Sequence, residues 1–138
     1  MNHLRRVVLF MPGDDRRKIE KGIAAAPDSI LMDLEDAVAL NRKAEARAVT
    51  ASALKALDFG RSEKLVRINQ VDSGFAEDDL AAILPARPDG LCLPKVESPE
   101  QIEWARRRLP DEMPLLIMIE TARAVINLKE IAAAPGLT

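Results

Sequence analysis

The composition of this 138-residue chain narrows the functions it can have. A formal net charge of −2 and an aromatic content of 3% argue against a nucleic-acid-binding surface and against platforms for base stacking. The single cysteine, Cys92, excludes a disulfide framework and a multi-cysteine zinc site, and the single histidine, His3, leaves no histidine-based metal or nucleophile site. No segment approaches a membrane span, so we expect one globular unit in a reducing cytoplasm.

Five apolar runs, each followed by a helical pattern, divide the chain. Strands are predicted at about residues 7–11, 29–34, 65–69, 90–93 and 115–119. Helices are predicted over residues 14–26, 42–57, 77–84, 98–109 and 121–134. Ser98 followed by Pro99 is typical of an N-cap with proline at the first helical position. This alternation predicts a parallel sheet covered by helices, which is an α/β fold.

Two α/β architectures fit this alternation. The chain has no GxGxxG motif after its first strand and no Walker-type glycine loop, which disfavours a doubly wound nucleotide-binding sheet. A (β/α)₈ TIM barrel needs eight units and typically about 250 residues, so five βα units cannot close one. The sequence therefore predicts either an open five-stranded sheet or a TIM-barrel type domain truncated after about five units, with residues 1–138 as one incomplete domain.

Charged residues follow four successive strands. The residues after the five strands are, in order, Pro12, Gly13 and Asp14; Asp33, Glu35 and Asp36; Arg67 and Asn69; Lys95 and Glu97; and Glu120, Thr121 and Arg123. Because the carboxyl ends of parallel strands meet at one rim, we expect these side chains to gather there. Carboxylate oxygens suit Mg²⁺, and the planar fork of an arginine suits a substrate carboxylate.

Each of these residues also has a structural interpretation. Asp33 or Asp36 could cap the following helix, Arg67 could be a structural partner of Glu35, and Lys95 could form a surface ion pair with Glu97. Glu120 could be a first-turn acid of the last helix, and the Pro12-Gly13 pair could be only a tight turn. The functional interpretation depends on the coincidence of charges at four strand ends.

Five ordered motifs carry a family resemblance. They are LFMPG (9–13), LMDLEDAV (31–38), VRIN (66–69), LPKVES (93–98) and IETARAV (119–125). Their order resembles that of the citrate lyase β-subunit-like family, within the HpcH/HpaI aldolase and citrate lyase superfamily. The resemblance implies a TIM-barrel fold, a homo-oligomer, Mg²⁺ as cofactor, and a lyase that cleaves or forms carbon–carbon bonds in a hydroxyacyl-CoA thioester. The substrates implied are of the citryl-CoA, malyl-CoA or citramalyl-CoA type.

The same resemblance implies roles for individual residues. Glu120 resembles a metal-ligating carboxylate, and Arg67 resembles the arginine that holds the substrate. Glu35 and Asp36 resemble the acidic pair that orders metal-bound water, Lys95 resembles a rim residue near the metal, and Gly13 lines the site beside the thioester. Asn69 of the VRIN motif is assigned to substrate binding with Arg67.

Two further expectations concern the extent and the chemistry of the site. The second metal ligand is expected beyond Thr138, so we expect these 138 residues alone to bind Mg²⁺ poorly. Two rival functions stay open, a class II pyruvate aldolase of the same superfamily, which uses no CoA, and a non-catalytic CoA-binding or structural subunit.

Overall fold

Five parallel strands in sequential order form the central sheet of the computed structural model, which describes residues 4–137. The strands are β1 (Val8–Pro12), β2 (Ser29–Asp33), β3 (Glu63–Arg67), β4 (Gly90–Leu93) and β5 (Leu115–Ile117). The helices are α1 (Arg16–Ala24), α2 (Lys43–Ala56), α3 (Ala76–Ile83), α4 (Pro99–Arg106), α5 (Ala122–Ile126) and α6 (Leu128–Ala132). His3 lies outside the described residues. No helix within residues 4–137 combines the length and the apolar character needed to cross a bilayer.

The order of the strands distinguishes the two architectures that the sequence left open. Each strand pairs in parallel with the next one along the chain, in the order β1-β2-β3-β4-β5. A doubly wound sheet reverses its strand order at a switch point, whereas successive βα units of a barrel all advance in one direction. The α/β fold class of the TIM-barrel type is therefore confirmed.

The two faces of the sheet have different surroundings. Ile30, Met32 and Val66 belong to the main core, which lies between the sheet and the helices. Leu31 and Leu65 point to the other face, where they form a small cluster with Cys92. Because successive side chains of a strand alternate between faces, residues two positions after Leu31 and Leu65 lie on this second, inner face.

The helix boundaries confirm one local prediction and correct another. Ser98 is the N-cap of α4, Pro99 is its first residue, and Gln101 completes a capping box. The single helix predicted over residues 121–134 was wrong, because the helix breaks at Asn127. The side-chain amide of Asn127 donates a hydrogen bond of 2.9 Å to the carbonyl oxygen of Glu97, and this contact holds its backbone out of helical geometry.

The third strand also begins earlier than predicted. It covers Glu63–Arg67 rather than residues 65–69, so Ile68 and Asn69 lie after its end. The polar residue Glu63 gave no strand signal in the sequence, but it is 2% exposed and forms an ion pair of 2.6 Å with Arg5. The shift places Arg67 as the last residue of β3.

Candidate active site

A buried ion pair joins the ends of β2 and β3. The sheet register places Asp33 directly opposite Arg67, so their side chains meet on the inner face. Nε and Nη2 of Arg67 donate to Oδ1 and Oδ2 of Asp33, each at 2.7 Å, and the two residues are 7% and 1% exposed. This bidentate geometry fixes the plane of the guanidinium group.

Asp33 also shapes the loop that follows it. Its Oδ1 accepts a hydrogen bond from the backbone N–H of Glu35 and its Oδ2 accepts one from the N–H of Ala37, both at 2.9 Å. Burial alone would raise the pKa of Asp33, but the hydrogen bonds from Arg67 and from these amides outweigh it and hold the pKa below its ordinary value. Burial alone would lower the pKa of Arg67, but its hydrogen bonds to Asp33 and the negative charge of that carboxylate outweigh burial and raise the pKa.

Glu35 links this pair to the next strand. Its Oε2 lies 3.2 Å from Nη1 of Arg67, and its Oε1 forms an ion pair with Nζ of Lys95. Lys95 Nζ also lies 3.1 Å from Oδ1 of Asp36, whose side chain is 66% exposed. The hydrogen bond to Glu35 raises the pKa of Lys95 against the effect of burial. Positive and negative groups therefore alternate across the ends of β2, β3 and β4.

The backbone of Lys95 extends the cluster to β5. Its φ of 50° lies in the left-handed region, which non-glycine residues rarely adopt. In this conformation its N–H donates a hydrogen bond of 2.9 Å to Oε1 of Glu120. Glu120 precedes Thr121, the N-cap of α5, so it is not a first-turn acid of that helix. The sequence-predicted residues Glu35, Asp36, Arg67, Lys95 and Glu120 thus form one connected group.

Two carboxylate oxygens in this group have no hydrogen-bond donor. Oε2 of Glu35 is buried and makes no hydrogen bond, although it faces Arg67. Oε2 of Glu120 accepts no hydrogen bond from the described residues, and the residue is exposed. Among residues 4–137 no cluster of three or more potential metal ligands is assembled. Carboxylate oxygens are the ligands that a hard cation such as Mg²⁺ prefers, so the exposed carboxylate of Glu120 is chemically compatible with such a cation, and its role as a metal ligand stays a prediction.

Gly13 and Asn69 have mainly structural contacts. A Cβ atom at Gly13 would lie 2.7 Å from both the backbone oxygen of Asp33 and Oγ1 of Thr50, so glycine permits close packing of the β1 and β2 ends. The side-chain amide of Asn69 donates to the carbonyl oxygen of Leu34 at 3.0 Å and to Asp79 at 2.7 Å. Asn69 is 3% exposed, and its amide donors are directed to the protein, so substrate binding by this residue stays a prediction.

Phe10 and Lys43 shape the site without a role predicted from the sequence, and Asp33 was predicted at the rim but not as the partner of Arg67. Asp33 fits a helix cap by its local pattern, whereas the position of Arg67 opposite it depends on sheet register. The centroid of the Phe10 ring lies 5.2 Å from the guanidinium carbon of Arg67. Phe10 precedes Pro12 by two residues in β1, so the alternation of side chains along a strand could have placed Phe10 on the same face as the rim residue Pro12. Lys43 is buried, although the charged sequence around it is typical of a solvated helix start.

The alternative of a surface ion pair between Lys95 and Glu97 was wrong. Lys95 contacts Glu35 and Asp36 instead, and Oε1 of Glu97 accepts a hydrogen bond of 2.7 Å from the hydroxyl of Thr121. Both residues therefore connect neighbouring βα loops.

The family model and the similar proteins of known function agree on one family. The family model for HpcH/HpaI aldolase/citrate lyase matches residues 6–138. The chain is 43% identical to the mitochondrial citramalyl-CoA lyase of Homo sapiens, over 92% of this chain and 41% of that protein. It is 40% identical to a (3S)-malyl-CoA thioesterase of Cereibacter sphaeroides, over 99% of this chain and 47% of that protein.

A solved structure agrees with these relatives. Protein CitE from Mycobacterium tuberculosis, in complex with magnesium, acetoacetate and coenzyme A, superposes with a TM-score of 0.79 at 34% identity. The match covers 97% of this chain and 48% of that one. The chain thus spans about half the length of the relatives it matches. This chain belongs to the HpcH/HpaI aldolase/citrate lyase family.

Proposed function

We propose that this chain carries part of the active site of a Mg²⁺-dependent carbon–carbon lyase that acts on a hydroxyacyl-CoA thioester. The observation that carries the proposal is the connected set of charges at the strand ends, from Asp33 through Arg67, Glu35 and Lys95 to Glu120. Its relatives include a citramalyl-CoA lyase, and a solved relative holds magnesium with coenzyme A. A substrate of the citramalyl-CoA, malyl-CoA or citryl-CoA type fits this chemistry.

Arg67 is proposed to bind the carboxylate of the substrate. Asp33 occupies its Nε and Nη2, which leaves Nη1 near Oε2 of Glu35 and 3.5 Å from the sulfur of Met118. An arginine fixed in this way loses little conformational entropy when an anion binds to its remaining edge. Phe10 lies against the same guanidinium group and limits its contact with water.

Cleavage of such a substrate moves charge toward the groups at this rim. The hydroxyl group loses its proton and becomes the carbonyl of a keto acid, and the carbon–carbon bond breaks. The electron pair passes to the thioester side, where addition of a proton gives acetyl-CoA. Magnesium, when bound, supplies Lewis-acid stabilisation of the negative charge on oxygen, and Glu120 would hold it. Arg67 and Lys95 offset the negative charge of the substrate.

Product analysis distinguishes the proposed reaction from its rivals. Because these 138 residues alone are expected to bind Mg²⁺ poorly, the assay uses a full-length protein that carries them. It is incubated with malyl-CoA or citramalyl-CoA in Mg²⁺ or in a chelator, and keto acid and free thiol are measured separately. A lyase releases keto acid and acetyl-CoA without free thiol, and only with Mg²⁺. Release of free thiol alone indicates a thioesterase and contradicts the lyase proposal.

Two controls complete the assay. Arg67→Met should abolish keto-acid release, whereas Arg108→Met should not, because Arg108 pairs with Glu77 on the surface. Calorimetric titration with acetyl-CoA and with pyruvate separates the lyase from an aldolase and from a non-catalytic subunit. Binding of pyruvate alone would favour a class II aldolase, and binding of acetyl-CoA without turnover would favour a non-catalytic CoA-binding subunit.

We further propose that the functional protein is a homo-oligomer. Val125, Ile126 and Leu128 are 62%, 82% and 46% exposed along α5 and α6, and large apolar side chains exposed close together in the chain are a common feature of interfaces. Light scattering over a wide concentration range tests this proposal, and a monodisperse monomer throughout would contradict it.

A further inference from the structure

A buried lysine lies behind the acidic loop of the candidate site. Lys43, the first residue of α2, is 5% exposed. Its Nζ donates hydrogen bonds of 2.7 Å to the carbonyl oxygens of Leu34 and Glu35. Lysine is almost never fully buried unless its ammonium group is paired, and here the partners are backbone atoms of the loop that carries Glu35.

Two residues reinforce this contact, one in the loop after β3 and one in α3. The amide of Asn69 donates to the same carbonyl oxygen of Leu34, and it also binds the carboxylate of Asp79. Asp79 is fully buried, and its other oxygen accepts a hydrogen bond of 2.7 Å from Nε of Arg47. Burial lowers the pKa of Lys43, and the negative charges of Asp79 and Asp33 oppose that effect.

One peptide group is held from both sides. The carbonyl of Leu34 belongs to the peptide whose N–H, that of Glu35, donates to Oδ1 of Asp33. Lys43 and Asn69 hold this peptide on the helix side, and Asp33 holds it on the inner side. A peptide plane fixed at both its oxygen and its nitrogen cannot rotate without the loss of a buried hydrogen bond.

We propose that Lys43 is a positioning residue, which sets the carboxylate of Glu35 between Arg67 and Lys95 by binding the carbonyl oxygens of Leu34 and Glu35. Lys43 lies behind the loop backbone and acts through it, so it is not a catalytic residue. Any contribution of Lys43 to substrate cleavage rests on the function proposed above, whereas its effect on the conformation of the loop does not.

The loop itself provides the first test. In Lys43→Met the backbone amides of Glu35 and Ala37 should exchange with solvent about tenfold faster, because a buried hydrogen-bonded support is lost. The Nε–H resonance of Arg67, which reports the bond to Asp33, should shift in the same variant. Lys43→Arg retains donors for both carbonyls and should restore most of the protection.

Two controls separate positioning from general destabilisation. Lys55→Met removes an exposed lysine from the same helix, and Ile102→Val truncates a buried side chain in α4. Neither should affect the Glu35 and Ala37 amides selectively. Unchanged exchange at these amides and an unchanged Arg67 resonance in folded Lys43→Met would overturn the proposal, as would equal effects in Ile102→Val.

The wild-type chain provides a second measurement if Lys43→Met does not fold. Scalar couplings across the hydrogen bonds, from the Lys43 ammonium nitrogen to the carbonyl carbons of Leu34 and Glu35, support the proposal when present and overturn it when absent. A failure of the proposed function would be seen in different measurements. In that case a full-length protein that carries these residues shows no acetyl-CoA binding or malyl-CoA cleavage, while the exchange behaviour of the loop is unaffected.

Discussion

Replacement of Asp33 by asparagine tests whether the buried pair with Arg67 organises the site. Oδ1 of Asp33 accepts hydrogen bonds from Arg67 Nε and from the N–H of Glu35, and Oδ2 accepts them from Arg67 Nη2 and from the N–H of Ala37. Asparagine has nearly the same shape but carries an NH₂ group in place of one oxygen. In either orientation of the amide, this NH₂ group faces two donors.

The size of the effect follows from the burial of the pair. Asp33 and Arg67 are 1% and 7% exposed, so the substitution leaves the guanidinium charge with little access to water and with Glu35, 3.2 Å from Nη1, as its remaining close carboxylate. Removal of one partner of a buried pair costs about 3–5 kcal/mol. Domains of this kind are stable by only about 5–15 kcal/mol, so Asp33→Asn should remove a large part of the free energy of unfolding.

Urea denaturation followed by circular dichroism measures the loss. Glu45→Gln is the matched control, because Glu45 pairs with Arg42 on the surface of the same part of the chain and its loss should not be measurable. The double variant Asp33→Leu/Arg67→Met removes both charges together and should recover part of the stability, whereas the N–H groups of Glu35 and Ala37 lose their acceptor in it. If Asp33→Asn loses no more stability than Glu45→Gln, the pair does not organise the fold at this rim.

Three more predictions concern the same region. The folded-state pKa of Asp33 lies below its ordinary value of 3.8, so its contribution to stability is fully present above that value and is lost as the pH falls through the lower folded pKa. The acid-induced fall of the urea midpoint should be smaller in Asp33→Asn than in the wild type, because other carboxylates with lowered pKa values, such as Asp28, titrate in both proteins. Gly13→Ala should cost about 1–3 kcal/mol in urea unfolding, because its Cβ would meet the fixed backbone oxygen of Asp33, and wild-type stability would contradict this packing. Burial raises the pKa of Cys92 to about 12, so iodoacetamide should label it at neutral pH only after unfolding, and rapid labelling of the native protein would contradict its burial.

The sequence predicted the alternation of strands and helices because that information is local. Apolar runs and helical spacing depend on neighbouring residues, and the rule that strand ends share a rim then brought Glu35, Arg67, Lys95 and Glu120 together. The break at Asn127 was not predictable in this way, because its partner Glu97 lies 30 residues earlier in the chain.

The partner of Arg67 illustrates a second limit. The sequence offered Asp33, Glu35 and Asp36 within four positions, and local pattern gives no means of ranking them. The register between β2 and β3 places Asp33 opposite Arg67, so the choice depends on long-range pairing. The inward position of Lys43 likewise depends on how α2 packs against the loop, which the charged sequence around it does not indicate.

Burial assigns different roles to these three acids. Asp33 is 1% exposed, and both its oxygens accept hydrogen bonds from Arg67 and from backbone N–H groups, so its charge is compensated by contacts within the fold. Asp36 has a side chain that is 66% exposed, so water solvates its charge at little cost. Glu35 is 5% exposed, yet its Oε2 has no hydrogen bond. An unsatisfied buried carboxylate oxygen destabilises a fold, and it persists only where neighbouring charges or a bound group compensate it. Arg67, 3.2 Å from this oxygen, and Lys95 supply the compensating charge, so Glu35 is the acid of this loop that joins the two cations of the rim.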